Sequence, residues 1–194
     1  AGVRHPRWTW DFLKSDPIQF ANVKGNSSVG DGSTPVTLSD YINSQFDPAL
    51  SWRDIEWFRD NWPGMVMIKG VQTVEDAEIA AEMGVDGVIL SNHGGLQLDY
   101  APAPIDLVAP VADTVAGRVS VICDGGIRRG SDIVKAVSIG ADASKIGREY
   151  FYEHGAAGER GVDWVLDFLR AGVEHTKALS GVGSIGELNR DLVE

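Results

Sequence analysis

From residue 65 onward the chain alternates two kinds of apolar pattern. Mostly apolar runs at 65–69, 85–90, 119–123 and 143–146 are short, rich in β-branched residues and bounded by glycine or polar residues, which predicts buried strands. Between them small and branched apolar residues return every three or four positions. That period predicts helices from Thr73, over 107–115 and over 131–139, with another at 51–61, capped by Ser51, ahead of the first strand. Thr73 with Asp76 three residues later makes a capping-box-like start, and Ala77, Ala80, Ala81 and Gly84 are small enough to let this helix lie close on a sheet. Two further helices, at 161–180 and 185–192, are expected as closing or packing elements.

Strands that alternate with helices through short loops must pair in parallel, and the repeated Gly-Val-Asp or Gly-Ala-Asp step suits a tight helix-to-strand turn. The expected fold class is therefore α/β, with four βα units amounting to half of a (β/α)8 barrel. Residues 1–45 differ. Gly, Ser, Asn and Pro crowd between Asn22 and Pro35, and only 8–12 and 38–45 show helical character. The expected division is a connecting loop region with short helices over 1–50 and the half-barrel over 51–194.

Composition narrows the function classes. The 194 residues are 43% hydrophobic, enough for a core, and the net charge of −11 without any Lys/Arg-rich run argues against a nucleic-acid partner. Any anion site must be local. Cys123, the lone cysteine, lies in an apolar run and reads as a core residue in a reducing compartment. No apolar run approaches a membrane span, no signal peptide is visible and no metal-ligand spacing is present, so the expectation is a cytoplasmic protein without a metal. Trp52, Trp57 and Trp62 are expected to pack between the connecting region and the barrel, and Glu75, Asp76, Glu78 and Glu82 to form a solvated helix face.

The residues that carry chemistry cluster at strand ends, where a β/α barrel builds its site. Asp124-Gly125-Gly126-Ile127-Arg128 follows one strand and precedes a helix, so its glycine amides and Arg128 can converge on a phosphate while Asp124 accepts from sugar-like hydroxyls. Gly147-Arg148 occupies the equivalent place one strand later. Lys69 ends an apolar strand, where a cation can stabilise negative charge on a ligand ring. His93, in Ser91-Asn92-His93-Gly94-Gly95, is placed to exchange a proton at the barrel mouth. His5, His154 and His175 lack that placement and are read as structural.

Taken together, Lys69-Gly70, Ser91 to Gly95, Gln97-Leu98-Asp99, Asp124 to Arg128 and Gly147-Arg148, with His5-Pro6-Arg7-Trp8 early and Ala178-Leu179-Ser180-Gly181 late, resemble the carboxyl-terminal half of FMN-dependent 2-hydroxy-acid oxidases and dehydrogenases. The resemblance covers nearly the whole chain. It implies a TIM barrel binding FMN that converts an L-2-hydroxy acid of the lactate, glycolate or mandelate type to the 2-oxo acid, passing electrons to oxygen, a quinone or a cytochrome. On this resemblance Lys69 lies near the flavin N1/O2 edge, Ser91 touches the ring, and His93 takes the substrate proton. Asp124, Gly125, Gly126, Arg128, Gly147 and Arg148 hold the ribityl phosphate.

Two positions depart from the family pattern. Leu96 replaces the arginine that clamps the substrate carboxylate, and Lys145 stands where the short strand is normally apolar, so it is expected to disturb packing or mark an altered surface. The family's first four strands, with a substrate-binding tyrosine and an aspartate that pairs with the histidine, would precede Ala1; Asp99 is read as a loop cap rather than as that aspartate's replacement. The chain is thus expected to need an amino-terminal barrel half or a second copy of itself as partner, and to be oligomeric. It would be peripheral to a membrane if the acceptor is a quinone. The alternative is a non-catalytic or impaired flavin-barrel fragment acting as an interaction module. A different flavin or phosphate-binding barrel is a third possibility, disfavoured by the Ser-Asn-His-Gly-Gly stretch.

Overall fold

Four parallel strands, β1 (Met67–Val71), β2 (Gly87–Ser91), β3 (Ser120–Asp124) and β4 (Ala143–Lys145), stand side by side in sequence order. The computed structural model describes residues 5–15 and 43–193. The chain divides into two units, Ala1–Ser51 and Trp52–Glu194. In the first, α1 (Pro6–Lys14) starts on a proline, whose missing N–H costs nothing at that position, and stacks Trp8 on Phe12 with ring centroids 5.3 Å apart. Most of the expected 38–45 helix lies outside the described residues; 43–45 are helical.

The second unit carries α2 (Trp52–Asn61), α3 (Val74–Glu82), α4 (Pro104–Val115), α5 (Gly130–Ser138), α6 (Arg148–Ala157) and α7 (Glu159–Leu179). Val88, Leu90, Val121 and Cys123, all 2% exposed or less, pack against Ala77 and Ala80 of α3, Val108, Val111 and Val115 of α4, and Ala136 of α5. Each such valine or leucine contributes roughly 1.5–3 kcal/mol by leaving water. Alternate residues on the strands point the other way, and that face carries the site.

The aspartates of the repeated steps into the strands lock the register. Asp86 Oδ2 accepts from Val66 N at 2.7 Å while its own N–H donates to Val66 O, and Asp142 Oδ2 accepts from Val121 N at 2.8 Å while its N–H donates to Val121 O. Each aspartate pins the start of its strand to the preceding one. Thr73 caps α3 by accepting from Asp76 N at 3.1 Å, as the spacing predicts.

Several boundaries move. The first strand begins at Met67 rather than 65 and continues past Lys69 to Val71, with a register shift that skips Gly70 at φ +100°. Apolarity stops at Lys69, but hydrogen bonding does not. The last predicted helix, 185–192, is instead two 3-10 turns, Ile185–Glu187 and Arg190–Leu192, anchored by Arg190 on Asp113 of α4 at 2.6 Å. That partner holds the Asp113 carboxyl below its usual range. Trp52 packs against the core, whereas Trp57 and Trp62 are 61% and 59% exposed. Helix α6 is not anticipated by the sequence pattern, because its aromatic and glycine-containing stretch shows no helical period; it is held by α7, whose Gly161 meets the Glu153 backbone so closely that a Cβ would overlap it.

Gly130 of α5 and Gly172 of α7 face each other in the same way. Gly130→Ala should lower stability by about 1–3 kcal/mol or more, because backbone must move to admit the methyl group. Gly155→Ala, with nothing within 4 Å of its Cβ position, should raise it by about 0.5–1 kcal/mol. Urea unfolding distinguishes the two signs.

Candidate active site

Ser91, the last residue of β2 and 1% exposed, organises the strand ends. Its hydroxyl donates to Asp124 Oδ2 at 2.8 Å and accepts from Lys69 Nζ at 3.3 Å and His93 N at 3.2 Å. Lys69 Nζ also reaches Asp124 Oδ2 at 3.2 Å, with the two side chains 36% and 16% exposed. Three strands are thereby joined through one hydroxyl. The parallel register requires it, since Ser91 pairs with Asp124 and Lys69 sits opposite Ile89.

His93 opens the 3-10 turn His93–Gly95 with φ +53°, a conformation rare outside glycine and found where surroundings over-determine a functional side chain. Those surroundings are visible. Asn92 Oδ1 accepts from Gly94 N at 3.0 Å and Asn92 Nδ2 donates to Pro102 O at 3.1 Å, closing the loop. A Cβ on Gly70 would stand 3.2 Å from His93 Cε1, so the glycine bulge in β1 leaves room for the imidazole.

A cavity of about 330 Å3 opens above these strand ends, lined by Lys69, His93, Leu96, Asp124, Gly125, Gly126, Gly147 and Arg148 among others. Gly125 and Gly126 have φ +127° and +77°, and a Cβ on Gly126 would meet nothing within 4 Å, an open backbone cradle next to cationic side chains. Burial, with the Asp124 charge adding to it, pushes the neighbouring Cys123 thiol up to about 11, which makes it a packing residue and not a nucleophile.

Two predicted site residues stand elsewhere. Ser91 lies beneath the cavity rather than on its wall, and Arg128 lines a separate cavity of about 380 Å3 with Arg148, Tyr152, Trp164 and Phe168, because the turn into α5 is held by Asp132, which accepts from both Arg128 N and Arg129 N at 2.9 Å. Leu96 is 82% exposed at the rim. Asp99 is exposed and does not line the cavity. Lys145, expected to disturb packing or mark a surface, lines the cavity, because β4 pairs it with Asp124 and parallel partners share a face. Gln97, Ile127 and Glu149 were also missed as lining residues. The pairing of Lys145 with Asp124 is a register between strands that the sequence does not signal, and neither does it signal Glu149, whose Oε2 accepts from Gly147 N at 3.3 Å.

The family model of FMN-dependent dehydrogenases matches residues 1–194. The chain belongs to that family. A putative L-lactate dehydrogenase of Mycobacterium tuberculosis is 41% identical over 185 residues, covering 95% of this chain and 43% of the relative. An L-lactate dehydrogenase of Alcaligenes faecalis is 38% identical over 195 residues, 98% of this chain and 50% of the relative. Among solved structures, a monotopic membrane protein, (S)-mandelate dehydrogenase, superposes with a TM-score of 0.88 at 39% identity over 98% of this chain and 50% of its own. The recombinant flavin-binding domain of baker's yeast flavocytochrome b2 gives 0.74 at 42% identity over 76% of this chain and 39% of its own. The chain thus spans about half the length of the relatives it matches, and its four strands are consecutive βα units of the family's TIM barrel.

FMN is the cofactor of FMN-dependent dehydrogenases, and the residues present fit it: an open glycine cradle, Lys69 at the β1 end of the cavity bound to Ser91 and Asp124, and Lys145 and Arg148 at the β4 end. Ser91→Ala should cost about 1–3 kcal/mol, the penalty for leaving the Asp124 carboxylate and the His93 amide short of a partner. It should also loosen the His93 loop. Denaturant unfolding and amide exchange at residues 92–96 measure both, and a variant as stable as the parent with an unchanged loop would show that Lys69 and Asp124 hold the strand ends without the hydroxyl.

Proposed function

We propose that the protein oxidises an L-2-hydroxy acid, of lactate, glycolate or mandelate type, to the 2-oxo acid, with His93 as general base. The carrying observation is the joint placement of Lys69, His93 and Asp124 on one cavity at the strand ends. FMN, when bound, accepts the electron pair released at the substrate C2 carbon. His93 receives the substrate proton on its imidazole, whose φ +53° backbone and Asn92-locked loop keep it at the cavity wall. Lys69 presents fixed positive charge where negative charge develops, and it needs no reorganisation because Ser91 and Asp124 already hold it. Asp124, Gly125, Gly126, Gly147 and Arg148 line the path of the ribityl phosphate chain, while Arg128 faces the adjoining cavity.

This reading includes the other barrel half, from an amino-terminal segment or a second copy of the chain, because the inner face of the four strands exposes Met67 and leaves Lys69 half open. The (S)-mandelate dehydrogenase neighbour is a monotopic membrane protein, and the reading extends to a cytoplasmic enzyme peripheral to a membrane with a quinone as acceptor. A second reading, an impaired flavin barrel serving as an interaction module, is favoured by one observation. Leu96 stands at the rim where the family resemblance calls for an arginine.

His93→Gln should leave flavin absorption in place while slowing flavin bleaching by a 2-hydroxy acid by roughly 10²–10⁴ in stopped-flow mixing. Bleaching at the parent rate would remove His93 from the reaction. Leu96→Arg should lower KM for a small 2-hydroxy carboxylate, since a bidentate guanidinium would then face the carboxylate. An unchanged KM would assign the carboxylate to another group, and absence of bleaching by any 2-hydroxy acid in the parent protein would favour the impaired barrel.

A further inference from the structure

Strand spacing separates the cations of this cavity into two groups. Neighbouring strands lie about 4.8 Å apart, which puts β1 and β4 roughly 14 Å from each other across the sheet. Lys69, on β1, is committed to Ser91 and Asp124. Lys145, on β4, ends the strand that leads into Gly147-Arg148, and it is paired in register with Asp124, which leads into Gly125-Gly126. It therefore stands between the two glycine turns that follow the last two strands. Lys145 makes no ion pair among the described residues.

The other charges at that end are diverted. Arg128 faces the neighbouring cavity, and Arg148 turns its guanidinium toward the His93 loop, where a Cβ on Gly94 would stand 3.2 Å from its Nη2. Glu149 brings a carboxylate to Gly147 N at 3.3 Å, onto an amide that a phosphate would otherwise take. The cavity wall holds Lys69, Lys145 and Arg148 against Asp124 and Glu149. Without Lys145 its charges cancel. With it, one positive charge is left over at the β4 end, in a chain whose net charge is −11.

We propose that Lys145 binds the phosphate monoester of the flavin cofactor, supplying at the β4 end the charge that Glu149 offsets and that Arg128 and Arg148 do not concentrate there. The inference rests on the cavity being the FMN site. It makes Lys145 a determinant of FMN over the phosphate-free riboflavin, a discrimination carried by charge-assisted hydrogen bonding and by Coulomb attraction that salt weakens.

The test is titration of the intact apoprotein with FMN and, separately, with riboflavin, followed by quenching of flavin fluorescence, for the parent, Lys145→Met, Lys145→Arg and Glu149→Gln. Lys145→Met should weaken FMN binding roughly tenfold at low salt, as expected for loss of one charged hydrogen bond, and leave riboflavin binding unchanged. Lys145→Arg should restore FMN affinity, Glu149→Gln should tighten it, and the preference of the parent for FMN should shrink as salt rises. Equal loss of both flavins in Lys145→Met, with riboflavin serving as the check on folding, would overturn the proposal, as would no loss of either. Unchanged FMN affinity with a raised KM for the 2-hydroxy acid would place Lys145 at the substrate and likewise overturn it. A parent that binds neither flavin with its other barrel half present would overturn the site assignment itself.

Discussion

A single buried hydroxyl, that of Ser91, ties together the ends of three strands. It is surrounded by a cation, a carboxylate and a backbone amide; were the serine apolar, the His93 amide would lose its acceptor and the Lys69–Asp124 pair its bridging hydroxyl. Its position depends on register. A one-residue slip of β2 against β3 would turn the hydroxyl toward the helix layer and bring Leu90 or Asn92 to the site. At the opposite end of the strands Ser120 N donates to Asp86 O at 3.0 Å, which holds β3 on β2, while the Asp86 and Asp142 carboxylates hold β2 to the segment before β1 and β4 to β3. The chemistry at one end of the strands is thus held by hydrogen bonds at the other.

Packing and electrostatics divide the two faces of the sheet. One face is closed by small and branched side chains, with Ala77 and Ala80 0% exposed, so α3 lies close and the strands are immobilised. The other face carries Lys69, Ser91, Asp124 and Lys145 in a band of alternating charge and hydrogen-bonding groups. Such a band can be tolerated because it is partly solvated and because Asp124 sits between the two lysines. Its net effect is a small positive region on an acidic protein, suited to an anionic ligand that enters from the loop side.

The loop bearing His93 is built from opposed demands. The imidazole lines the cavity on a backbone at φ +53°, rare for a residue with a Cβ, held by the Asn92 side-chain bonds on one side and given room by a glycine bulge at Gly70 on the other. The bulge is also the reason the first strand outruns its apolar stretch. One glycine thereby serves both the pairing of Val71 with Leu90 and the placement of the histidine.

Periodicity and turn chemistry in the sequence determined the order and type of the βα units, the capped start of α3 and the gathering of Lys69, His93, Asp124 and Gly147 at strand ends, because these depend on local spacing and on parallel strands sharing one direction. Helix α6 was not legible, since its helical state comes from backbone contact with α7 and not from its own pattern. Nor was the division of the C-terminal stretch into two 3-10 turns, which the Arg190–Asp113 pair fixes across 77 residues. Only the tertiary structure could show that Arg128 looks into a neighbouring cavity, that Glu149 occupies the Gly147 amide and that Lys145 faces inward. Side-chain direction at the end of a strand is set by register with its neighbours, and register is a relation between segments that no single segment contains.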